Sequence, residues 1–425
     1  MARWRERLVQ GLNIEPGEGP AVVAGLVLFY LLFTGYFMLR PVRETMGVAG
    51  GVDNLQWLFT GTFIATLACL PLFGWLASKV RRQHILHWTY GFFVSNLMLF
   101  AALFALHPED IGQARAFYIW LSVFNLLTIS LAWSVLTDLF SSEQGKRLFG
   151  LLAAGASLGG LSGPLLGALL VAPLGHAGLV LLAGLFLLGS MASAGYLQHW
   201  RDRQPLAAQR ELPASKPLGG NPFAGATAVL RSPYLLGIAL FVVLLASVST
   251  FLYFEQARIV SETFADRTRQ TQVFGLIDSV VQALAILTQV FITGRLARRM
   301  GVGVLLVAVP LVMAAGFLWL ALAPVFAVFV VVMVVRRAGE YALVRPGREM
   351  LFTVLPAEDK YKAKNFIDTV VYRGGDALSG WVKRGLDVLT EHPQLAMLIG
   401  ALIAVAWGLT GGWLGRHQRQ LEKGG

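Results

Sequence analysis

Apolar runs of about twenty residues, separated by short polar stretches, recur from Gly19 to Leu414, and a helix of that length crosses the hydrocarbon core of a bilayer. They predict twelve helices, at 19–40, 54–77, 84–106, 115–139, 148–172, 175–198, 233–257, 271–294, 301–322, 324–350, 363–384 and 393–415. The expected fold class is all-α: a polytopic membrane protein with twelve transmembrane helices in two six-helix bundles. Two helices break the apolar pattern. Arg336, Arg337 and Glu340 fall about midway along the tenth, and Arg373 and Asp376 about midway along the eleventh. An ionisable side chain at that depth costs roughly 2.5–3.5 kcal/mol on insertion scales, so it faces a partner or a wet cavity. Five of them in neighbouring spans predict a polar pathway.

Composition narrows the class. Of 425 residues, 56% are hydrophobic and 14% charged, against about 25% charged in soluble domains. The net charge of +11 does not point to nucleic acid, because the basic residues sit mostly in short loops between spans. With the N-terminus inside, Arg3, Arg5, Arg7, Lys79, Arg81, Arg82, Lys146, Arg147, Arg295, Arg298, Arg299, Arg416, Arg419 and Lys423 fall on the inner side. So do the basic residues of 201–231 and 345–364. The outer side keeps only Arg40, Arg43, Arg115, Arg258, Arg267, Arg269, Lys383 and Arg384. This positive-inside bias predicts an inner-membrane protein with both termini in the cytoplasm. The first apolar run starts late and is too long for a cleaved signal peptide, so it is expected to stay as a span. A single cysteine, Cys69, allows no intrachain disulfide.

Between about Arg201 and Arg231 lie Pro205, Pro213, Pro217, Gly219 and Gly220 with few large apolar residues, the composition of a flexible linker. The expected domains are a bundle over 1–200, a cytoplasmic linker over 201–232 and a second bundle over 233–425. The halves echo each other. Gly74-Trp75-Leu76-Ala77 answers Gly294-Arg295-Leu296-Ala297, Glu143 answers Glu358, and Ser162-Gly163 answers Ser379-Gly380. Parallel six-helix repeats imply a transporter whose site lies near the midplane between the halves.

Glycines carry a second signal. Gly155, Gly159, Gly163 and Gly167 recur every four residues and so line one helical stripe, a ladder that lets membrane helices pack backbone to backbone. With Gly150 and Pro164 the segment resembles the antiporter signature of the major facilitator superfamily, Ala168 standing for its last Gly. The loop from Gly74 resembles that superfamily's inner-loop signature, with Ser78 in place of Asp and Arg81 in place of Gly; Gly294 opens a second copy. The resemblance implies close helix approach at Gly74 and Gly294 by an inner gate, and a hinge or seal at the helix-five glycines and Pro164.

The candidate binding residues are charged. Arg40 and Arg43, one turn apart at the outer end of the first helix, either anchor it at the interface or attract an anion. Arg336 and Glu340, like Arg337 and Tyr341, are four apart, and Arg373 and Asp376 three apart, so each pair shares a helical face. Asp278 on the eighth helix would balance the charge. Arginine forks suit carboxylate or phosphate; the rival reading is charge pairing that only holds helices ten and eleven together. Arg337 and Arg373 are the expected anion ligands, with Glu340 and Asp376 as counter-charges in the empty site.

The run Glu340-Tyr-Ala-Leu-Val-Arg-Pro-Gly-Arg-Glu-Met, followed by Leu355-Pro356, the spaced Lys360, Lys362 and Lys364, and Ile367-Asp368, resembles the ATP/ADP translocase (nucleotide transporter) family. Arg40-x-x-Arg43-Glu44 and Glu143-x-x-Lys146-Arg147-x-Phe149 resemble two further motifs of that family. The chain departs from it at Glu340, where the family usually has Lys, at Arg345, where it has Asp, and at Gly375-Asp376, where Lys is expected after Gly374. The resemblance implies a secondary antiporter that exchanges a small anionic substrate by alternating access. The anion is a nucleotide or another phosphorylated or carboxylated metabolite. Two other readings stand beside it: proton-coupled efflux of a drug-like or amphipathic compound, and a non-transporting scaffold or sensor. The seven histidines are scattered without metal-ligand spacing, and there is no P-loop. The expectation is no enzyme, no cofactor and no metal, with a monomer driven by solute or ion gradients.

Overall fold

The computed structural model describes residues 14, 15, 17–79, 82–203, 223, 225–389 and 393–424, and among these all regular structure is helical. The first helices are α1 (Gly19–Ala49), α2 (Leu55–Lys79), α3 (Arg82–Leu106) and α4 (Ile111–Leu139). One run, Ser142–Asp202, then holds two helices, α5 and α6, broken at Gly175, where φ is 65°. A residue with Cβ is strained there. Next come α7 (Pro233–Thr263), α8 (Arg267–Met300) and α9 (Val302–Leu322). The series ends with α10 (326–351), α11 (357–389) and α12 (Pro393–Gly424). Among the described residues nine helical runs are long and apolar enough to cross a membrane. One of these is the double run; α10 and α11, which carry the central charges, are not among the nine.

Helix starts follow local chemistry. The Asp110 carboxylate accepts from the Gln113 amide at 2.7 Å and Asp266 from the Arg269 amide at 3.0 Å, starting α4 and α8. Ser141 and Gln144 cap α5 reciprocally, each side chain accepting from the other's amide, which satisfies two otherwise orphan donors. Ser232 followed by Pro233 starts α7, with proline in the first turn where its missing N–H costs nothing.

Several expected ends move. α1 does not stop at residue 40; it runs through Pro41 to Ala49, because the proline removes one backbone bond and the flanking arginines find partners inside the protein. Arg40 and Arg43 therefore lie within the helix, not at its outer end. α7 runs to Thr263 and α11 to Leu389, so Arg258 is helical and not a loop residue, and Lys383 and Arg384, expected at the end of a helix, lie within it. Lys383 is only 3% exposed and lies 3.6 Å from Glu255. The linker core 204–222, the basic N-terminus with Arg3, Arg5 and Arg7, and Arg81 lie outside the described residues. So do the side chains of the inner-loop signature beyond Trp75.

Among the described residues three helices contain a π turn: Gln289–Thr293 in α8, Glu340–Val344 in α10 and Ile367–Val371 in α11. A π turn inserts one residue per turn and releases backbone carbonyls. Side chains collect two of them: Gln289 donates to the Tyr341 carbonyl at 2.9 Å, and Thr293 to the Ala342 carbonyl at 2.8 Å.

The chain forms two compact units. The first comprises Met1–Arg43, Pro71–Gly219 and Thr271–Ser279; the second Glu44–Leu70, Gly220–Gln270 and Val280–Gly425. In the first, the α5 glycines lie against the α1 backbone. A Cβ at Gly159 would meet the Tyr30 carbonyl at 2.6 Å, at Gly163 the Thr34 carbonyl at 2.7 Å, and at Gly167 the Met38 carbonyl at 3.0 Å; Gly155 faces the Leu26 carbonyl in the same way. The four-residue ladder on α5 thus meets a four-residue ladder on α1. α8 approaches as closely, Gly275 facing the Pro164 carbonyl. Gly294, by contrast, faces open space, so the close approach expected there does not occur. It follows the α8 π turn on an exposed side of the helix. In the second unit Ser379 of α11 meets Ser247 of α7 at 2.8 Å, as Ser162 of α5 meets Thr34 of α1 at 3.4 Å in the first.

Candidate functional site

Arg336, Arg337 and Glu340 lie midway along α10 and are 7%, 6% and 5% exposed. They are buried in a segment flanked by Phe326–Val335, where an unpaired charge is untenable. Arg336 Nη1 lies 3.0 Å from Glu340 Oε2 and donates to Ser249 Oγ of α7 at 2.8 Å. The other Glu340 oxygen takes Arg345 Nη2 at 3.4 Å. In a regular α-helix residues five apart point about 140° apart. Here the π turn closes the Arg345 N–H onto the Glu340 carbonyl and brings the two side chains onto one face. The Arg345 guanidinium also sits 4.4 Å above the Tyr341 ring, a cation–π contact.

The four-residue spacing of Arg336 and Glu340 is borne out as an ion pair, and the second Glu340 oxygen takes Arg345, five residues on, which the spacing did not indicate. Asp278 of α8 meets Arg40 of α1 at 3.6 Å in the first unit. Arg43 donates to the Tyr118 carbonyl at 3.1 Å and lies 3.8 Å over the Tyr118 ring, so both arginines of the α1 motif have protein partners.

On α11, Arg373 Nη1 is 3.8 Å from Asp376 Oδ2, and Thr250 of α7 donates to Asp376 at 3.4 Å. The spacing prediction holds for this pair. Arg373 is 30% exposed at its side chain. Phe63 of α2 covers Gly374, its ring 3.6 Å from where a Cβ would lie. Past the α10 π turn, Arg348 pairs with Asp368 of the α11 π turn at 3.1 Å, and Glu349 with Lys364 just before that turn. Sequence spacing missed Ser249, Thr250, Phe63 and the Arg348–Asp368 pair, all of which join different helices. Among the described residues no cluster of His, Cys, Asp and Glu suits a metal ion.

A helical membrane scaffold with buried, mutually paired arginines and carboxylates midway along two helices suits a polytopic transporter. The chain belongs to the Major Facilitator Superfamily, whose model matches residues 22–344. It is a multi-pass membrane transporter of small molecules and not an enzyme. Among solved structures, nucleoside transporter NupG is similar at a TM-score of 0.64 and 15% identity over 93% of this chain and 98% of that one. A bacterial homologue of the human lysosomal transporter Spinster is similar at 0.61 and 14%, over 96% and 98%. At these identities the likeness is one of fold. Multidrug resistance protein 3 of Bacillus subtilis is 24% identical over 153 residues, 35% of this chain and 28% of that protein. The B. subtilis multidrug transporter protein MdtP matches to the same degree over 27% of its length. The alignments therefore span under a third of these relatives.

Proposed function

We propose that this transporter is an antiporter that exchanges an organic anion, a nucleotide or another phosphorylated or carboxylated metabolite, by alternating access. The observation that carries the reading is the α10–α11 cluster. Arg336, Arg337 and Arg373 stand midway along their helices, Arg345 and Arg348 follow within three turns, and the side chains of Arg373 and Arg345 are partly exposed. Guanidinium is weakly hydrated and binds carboxylate or phosphate at two points, so it suits an anion taken from water into a membrane protein. Tyr341 beneath Arg345 and Phe63 over Gly374 add aromatic surface for an organic ring. The motif resemblance to nucleotide translocases supports the same substrate class. In this reading residues 1–200 and 233–425 are the two moving bundles, both termini are cytoplasmic and a monomer suffices. The test is counterflow in proteoliposomes. Uptake of labelled ADP or a phosphorylated metabolite should require unlabelled anion inside. Uptake unaffected by internal anion, or absent for every anion, rejects exchange.

A second reading, proton-coupled efflux of an amphipathic compound, is favoured by the multidrug relatives and by Asp278, a carboxylate only 2% exposed. A pH gradient that drives transport without any counter-substrate would select it.

A further inference from the structure

We infer that Glu340 is a built-in occupant of the anion site. Its carboxylate holds the Arg336–Arg345 fork that the substrate's anionic group takes over, so substrate competes with the protein's own side chain. The inference rests on the anion-exchange reading above.

Glu340 stands between two guanidiniums of its own helix, one oxygen on each, at 3.0 and 3.4 Å. That is the arrangement a carboxylate or phosphate ligand would adopt between two arginines. The two arms differ in access. Arg336 is 9% exposed at its side chain and fixed by Ser249, whereas Arg345 is 55% exposed. An incoming anion therefore meets Arg345 first, while Glu340 can fall back on Arg336 alone. The arrangement is built, because it depends on the π turn. Without the inserted residue Arg345 would point away from Glu340, and Gln289 and Thr293 of α8 hold the turn by capturing the Tyr341 and Ala342 carbonyls.

The experiment measures inorganic pyrophosphate binding to the full chain in detergent by calorimetry. Glu340→Gln should tighten binding about tenfold, the size of one displaced charge pair. Glu262→Gln removes an equal charge from the Arg258 pair of α7, outside the arginine cluster, and should change binding by less than about threefold on the same scale. Equal tightening in both variants, or none in Glu340→Gln, overturns the inference. Should Glu340→Gln not fold, Glu340→Asp keeps the charge but shortens its reach to Arg345. Glu340→Asp should still tighten binding; unchanged or weaker binding overturns the proposal. If the native chain binds pyrophosphate and Arg373→Lys loses it while every Glu340 variant leaves it unchanged, the competition is wrong and the anion reading survives. Pyrophosphate bound by no form of the chain rejects both.

Discussion

Arg373 and Asp376 are the residues on which the binding site and mere helix pairing predict different outcomes. Arginine stays protonated, so Arg373→Ala strands a mostly buried carboxylate, at a cost of roughly 3–5 kcal/mol of stability for breaking a buried pair; its phenotype would be ambiguous. Arg373→Lys keeps the charge and loses the planar fork. It should fold with an unchanged melting temperature and bind anion more weakly, by about tenfold or more, the loss of one bidentate contact. The double variant Arg373→Ala with Asp376→Ala strands neither charge and should fold, yet fail to transport. Normal counterflow from it would make the pair structural. This pair was legible from sequence because three residues make nearly one α-helical turn. Glu340 with Arg345 was not, since five residues put two side chains on one face only around a π turn. Nothing in the local residue pattern marks that insertion; it shows only where Gln289 and Thr293 of another helix take the released carbonyls.

At the scale of elements, the α5 ladder makes the clearest demand. A Cβ at Gly159 would lie 2.6 Å from the Tyr30 carbonyl and 2.8 Å from the Thr34 amide, backbone atoms that move only if the whole helix moves. Gly159→Ala should therefore destabilise by about 1–3 kcal/mol, the usual cost of overpacking, and lower the melting temperature measured in detergent. Gly294→Ala meets nothing within 4 Å and should be neutral or stabilise by about 0.4–1 kcal/mol through the unfolded chain. Equal melting temperatures for the two variants would sink the ladder argument. The helices themselves were readable from hydropathy because each must span the same apolar thickness. Their ends were less so. Arg40, Arg43 and Lys383 look like residues of helix ends or loops in one dimension, and only their packing against Asp278, Tyr118 and Glu255 shows that they lie within helices.

For the whole molecule, acid stability has an identifiable contributor just before α1. Burial would raise the Glu18 carboxyl, but the Glu15 amide, the Gln144 side chain and Arg147 all donate to it and hold it below its ordinary value of 4.5. A lowered native value favours folding fully above about pH 4.5 and is lost as the pH falls through that lower value. Glu18→Gln should thus lower the melting temperature at neutral pH, with the difference from the native chain closing in acid. A difference that stays constant with pH would exclude the linkage. Orientation is tested as directly: a reporter fused after Gly425 should be active only in the cytoplasm. The paired ladders of α1 and α5 also set a schedule. Thr34 and Ser162 are 128 residues apart, so at roughly 5–20 residues per second of synthesis α1 waits about 6–26 s for its partner. For that interval its stripe of close-packing backbone lies against lipid or the insertion machinery. Ladder variants should consequently be lost to proteases as short nascent chains, before the second half of the protein is made.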